Sequence, residues 1–161
     1  MLKFVYSFFL GLLLAVFVGV GVATFYPTPK APEYPAVLQT SKSPDAYSDQ
    51  QRKVDEQFQK DQKSYSDRLS SYNRNVALIV LSAAVILVVL GLTLHAWVDV
   101  LADGLLLGGV FSLLYSIGRS FAGGNPRYSF VIVSAGLVIT GVVGYIKFIQ
   151  PQSKPVPVKK K

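Results

Sequence analysis

The only histidine of the chain, His95, is followed at four-residue intervals by Asp99 and Asp103. On one continuous helix the three would share a face. An imidazole and two carboxylates so placed could hold a cation or relay a proton. Arg119 is the natural counter-charge to consider. It lies sixteen residues beyond Asp103, about 24 Å along a helix axis, so the two cannot meet within one helix.

Composition narrows the chemistry. There is no cysteine, which removes disulfides, thiolate catalysis and cysteine metal sites. A single histidine removes multi-histidine metal sites within one chain. No zinc-protease, nucleophile-elbow or Walker signature occurs, so neither an enzyme nor a cofactor is expected. Hydrophobic residues make up 51% of the 161 and charged residues only 16%. Soluble domains average about 25% charged residues, so the lipid bilayer is the expected surrounding. Lys154, Lys159, Lys160 and Lys161 form a basic end, residues 150–161, that is expected to be disordered and to meet anionic lipid. No nucleic-acid partner is expected.

The elements that must position the polar residues are apolar helices of about 20 residues. Phe4–Phe25 and Val76–Leu94 are uncharged, and Phe130–Ile149 carries only Lys147, which is able to snorkel to the interface. The third apolar core, Gly104–Gly118, would cover only about 22 Å of a hydrocarbon layer about 30 Å thick. Either Asp103 or Arg119 must then enter the boundary. In this arrangement His95 closes the second helix, Trp97 suits the headgroup layer, and Asp99 caps the third helix. Asp103 is left as the candidate intramembrane carboxylate. Residues 1–25 are expected to be an uncleaved signal anchor, because the apolar run is longer than that of a secretory signal.

The first loop divides into an extended strut, 26–43, with prolines at 27, 29, 32 and 35, and an amphipathic helix, 44–75. Ser43-Pro44-Asp45 resembles a helix start. From there Tyr47, Val54, Phe58, Tyr65, Leu69, Tyr72 and Val76 fall on one narrow stripe of a 3.6-residue helix. No proline or glycine separates this stretch from the second apolar run. A single helix is expected from about Pro44 to Leu94, with a polar stalk roughly 45 Å long. A strict coiled-coil heptad fails, since Asp61, Arg68 and Asn75 would occupy the second seam position. The stripe still needs a cover. The chain's own Tyr34, Val37 and Leu38 are one; a second copy or a different protein is the other.

Small residues recur every fourth position at Gly11, Ala15, Gly19 and Ala23, at Gly104, Gly108, Ser112 and Ser116, and at Gly136, Thr140 and Gly144. Such ladders let helices approach closely in lipid, where apolar burial does not drive association. Gly123-Gly124-Asn125-Pro126 marks a turn. The expected object is an all-α integral membrane protein with four transmembrane helices, residues 76–149 holding the last three. Its second helix extends into a polar juxtamembrane stalk. The membrane expected is a plasma or inner membrane. Both termini are expected in the cytoplasm, although lysine and arginine are more numerous on the loop side. The expected role is a scaffold or interaction subunit; the alternative is a small oligomeric channel or transporter subunit using Asp103.

Overall fold

A computed structural model describes residues 1–38, 48–95 and 97–149. Among them the chain is helical and contains no strand. Four helices are long and apolar enough to cross a membrane. They are α1 (Leu2–Phe25), α2 (Asp49–Leu94), α3 (Asp99–Ala122) and α4 (Pro126–Gly144). A π-helical turn, Tyr145–Ile149, continues α4.

Each boundary has a local cause. α1 stops at Tyr26, whose N–H bonds the Val22 carbonyl at 2.8 Å, and Pro27 beyond it cannot extend the ladder. α2 runs unbroken for 46 residues because nothing between Asp49 and Leu90 is glycine or proline. It begins at Asp49. Ser48 is extended and forms a capping box with Gln51, which satisfies two backbone donors and fixes the first turn there. The Ser43-Pro44-Asp45 start and Tyr47 lie outside the described residues, as does the basic end 150–161. The expected turn does join α3 to α4. Gly124 takes φ of 69°, and Asn125 accepts from the N–H groups of Arg127 at 3.1 Å and Tyr128 at 3.4 Å.

α3 is the centre of the bundle. It packs along α2 on one side and α1 on another, while α4 buries Ser129, Ile132 and Gly136, all within its first eleven residues. The α1–α3 seam passes through part of the expected ladder. A Cβ added to Gly11 would lie 2.7 Å from Leu107 Cβ and 3.0 Å from the Gly108 nitrogen. Gly104 and Gly108 receive Leu10 and Leu14 in return. Gly19 and Gly144, expected in the same ladders, have nothing within 4 Å. The α2–α3 seam uses two glycines that the four-residue pattern did not single out. A Cβ at Gly109 would meet Val88 at 2.7 Å, and one at Gly91 would meet Leu106 at 2.9 Å.

α1 and α3 end level with Ser70–Asn75 of α2, and α4 begins there. Beyond that level residues 26–38 of the same chain lie against α2. The Tyr34 ring meets Phe58 edge-on at 5.2 Å, Leu38 is buried in a 3₁₀ turn (Ala36–Leu38), and Gln51 Nε2 donates to the Val37 carbonyl at 3.0 Å. Val54, Phe58, Tyr65 and Leu69 are half-buried and Tyr72 is buried. The proline-rich strut thus covers much of the stripe.

Candidate functional site

The polar side chains gather at the two ends of the bundle. At the end shared by the amino terminus and the π-helical turn, His95 is the C-cap of α2. Asp99 is not the cap of α3. Val98 holds that position without a side-chain bond, and Asp99 sits in the first turn. From there its carboxylate faces His95 Nδ1 at 3.6 Å. The two residues therefore belong to different helices, yet the short turn still brings them together.

Asp103 lies one turn deeper in α3 and is paired with Lys147. Lys147, read from the sequence as able to snorkel, donates from its ammonium to Asp103 Oδ1. The reason is geometric. Asp103 precedes the α3–α4 turn by about as many residues as Lys147 follows it, so antiparallel helices set both at one depth. The π-helical turn shifts register there and carries Lys147. The chain-length symmetry is visible in the sequence. Arg119, the cation of α3 itself, is too far along the helix to serve in its place.

Arg119 lies at the opposite end of α3, so Asp103 and Arg119 both fall within this 24-residue helix and are not brought together. The guanidinium rests on the Tyr72 ring, 5.2 Å from its centroid. Tyr26 stacks on the same ring at 5.2 Å with an interplanar angle of 3°. Around this stack runs a collar of hydrogen bonds. Asn75 donates to the Tyr26 hydroxyl at 2.9 Å, Thr28 to the Tyr72 hydroxyl at 3.2 Å, and Asn73 to the Ala122 carbonyl at 3.0 Å. Ser70 donates to the Gly123 carbonyl, and Tyr128 to the Arg74 carbonyl at 3.2 Å. Every helix is tied to α2 at this level. Sequence reasoning identified Tyr72 and Arg119 but not Asn73, Asn75, Tyr26 or Thr28. The available signal was an Asn-Arg-Asn run at the point where α2 turns apolar.

Deeper in the bundle Ser116 donates to the Ala77 carbonyl at 2.7 Å, and Ser129 to the Ser120 carbonyl at 3.0 Å. These bonds satisfy hydroxyls in an apolar interior, as buried polar groups require. Among the described residues no three His, Asp or Glu side chains converge as metal ligands. The arrangement as a whole locks helices together at two levels. Comparison with protein-family models, with curated proteins and with solved structures gives no match.

Proposed function

We propose that this chain is a non-enzymatic, multi-pass membrane protein acting as a structural or interaction subunit. The four apolar helices cross a bilayer, which puts both termini on one face. The polar half of α2 then stands off the opposite face as a rod about 40 Å long.

The observation that carries this reading is the bracing of that rod. A lone amphipathic helix would fray or lie down on a surface. Here the strut packs against its apolar stripe through Tyr34 and Leu38, and the collar at Tyr72 fixes its base to α1 and α3. The face left open is polar and carries both charge signs, such as Asp61, Lys63, Asp67 and Arg68. A neutral, mixed-charge rigid face suits recognition by another protein better than adsorption to lipid, which favours a basic face. Asp103 is the residue on which a channel or transporter reading rests. Its engagement by Lys147 favours a role in anchoring α4, so the scaffold reading is preferred.

The test is photo-crosslinking in native membranes from the exposed positions Gln59 and Ser66. The expected result is an adduct with a second copy or with another protein, lost when the same probe is placed at the bilayer-facing Leu137. Adducts confined to residues 26–38 of the same chain would contradict the role.

A further inference from the structure

We infer that the foot of the rod is a headgroup site for an anionic phospholipid, with Arg119 as its principal contact. This rests on the membrane placement proposed above.

Arg119 stands one turn before the end of α3. Its Nε is buried without a hydrogen-bond acceptor, and among the described residues no carboxylate pairs with it. The Tyr72 ring is its one charge-stabilising neighbour. A guanidinium is never deprotonated and carries five donors, so a ring face leaves it undersatisfied where water is scarce. Phosphate oxygens fit the planar fork bidentately and supply the missing charge. The flanking groups agree. Arg74 and Arg127 are exposed at the same level, and among the described residues neither is in an ion pair. Tyr26, Tyr72 and Tyr128 form an aromatic belt of the kind that marks the headgroup layer. The neighbouring groove against Tyr72 is lined by Asp67 and Arg68, whose charges offset each other, and Arg119 lies outside it, on the Tyr72 ring.

The opposite end of the bundle supplies the contrast. There the ammonium of Lys147 is held by Asp103 and Asp99 faces His95, while Lys3 on α1 is exposed. Basic pockets between membrane helices recognise anionic headgroups, whereas internally matched pairs have no such need.

The experiment reconstitutes the full chain in phosphatidylcholine vesicles containing phosphatidylglycerol and counts retained lipids by native mass spectrometry. The wild type is expected to enrich phosphatidylglycerol. Arg119→Gln should lower that enrichment about fivefold, the value of one basic residue at an anionic surface. Arg119→Lys should fall between, and Arg52→Gln, far along the rod, should leave it unchanged. Unchanged enrichment in a folded Arg119→Gln protein would overturn the inference. Displacement of the lipid by inorganic phosphate would also overturn it, because the ligand would then be free phosphate. If Arg119→Gln does not fold, photoactivatable phosphatidylglycerol on the wild type decides: label within 68–74 and 115–128 supports the site, and label confined elsewhere refutes it. Failure of the chain to insert into vesicles would strike the membrane placement; insertion without lipid preference strikes only this inference.

Discussion

Replacing Gly11 with leucine is expected to separate α1 from α3 and to destabilise the bundle by about 3 kcal/mol or more. The cause is the backbone itself. An added Cβ would lie 2.7 Å from Leu107 Cβ, 3.0 Å from the Gly108 nitrogen and 3.1 Å from the Gly104 oxygen. A flexible side chain might rotate away from such a contact, but two of these three atoms are main chain and cannot. α1 is poorly buried elsewhere, with Ser7 and Gly11 its only buried residues, so few other contacts resist its departure. The Ser7 bond to the Val100 carbonyl, 2.9 Å long, should be lost with it. Gly19→Leu is the matched control. It belongs to the same four-residue ladder, yet nothing lies within 4 Å of its Cβ position, and an effect within about 0.5 kcal/mol is expected. Reversible unfolding in mixed micelles, with crosslinking between cysteines at Leu14 and Leu107, reads both outcomes. Equal effects at the two glycines would contradict the seam described.

Lys147→Met is expected to destabilise the fold by about 1–3 kcal/mol, below the roughly 3–5 kcal/mol of a fully buried broken pair. The smaller value follows from exposure: the side chains of Lys147 and Asp103 retain 25% and 42% of their accessible surface. Asp103→Leu should cost less than Lys147→Met. A lysine without its partner has a long flexible arm that can carry its charge away from the apolar surface, whereas the short aspartate side chain has none. The double variant Asp103→Leu/Lys147→Met should recover most of the loss, since neither charge then remains unpaired. A double-mutant cycle in the same unfolding assay measures the coupling. Additive losses would mean that the pair does not hold α4. Beyond Gly136, α4 has no buried residue, so the loss should appear first as increased proteolysis or exchange around 137–149.

The lessons for sequence reading lie in particular residues. The continuity of α2 was legible because both of its signals are local: an absence of helix breakers and a stripe that keeps its phase from Val54 to Val76. The α3–α4 turn was legible for the same reason, through Gly124 and Asn125. The α2 cap at Ser48 was not, since it rests on the reciprocal bonds of Ser48 and Gln51, two polar residues among many in that stretch. Contacts between helices were less legible still. A four-residue ladder fixes which residues share a face but not which neighbour that face meets. Gly11 therefore found α3, while Gly19 on the same ladder found nothing. Asp99 was assigned as a cap from its type and position, but Val98 bends the chain and frees the carboxylate for His95. The Asp103–Lys147 pair required the antiparallel register of two helices, a long-range property that neither residue's surroundings encode.

The central claim is that four apolar helices cross a bilayer and that the polar half of α2 stands clear on one side. The chain lacks cysteine, so a single introduced thiol reports its own position. Gln59→Cys lies on the exposed face of the rod, and Trp97→Cys lies in the α2–α3 turn, where the native side chain is 88% exposed. In sealed vesicles of uniform orientation, a membrane-impermeant maleimide should label one of the two from outside and the other only after permeabilisation. Labelling of both from the same side, or of neither before solubilisation, would contradict the account.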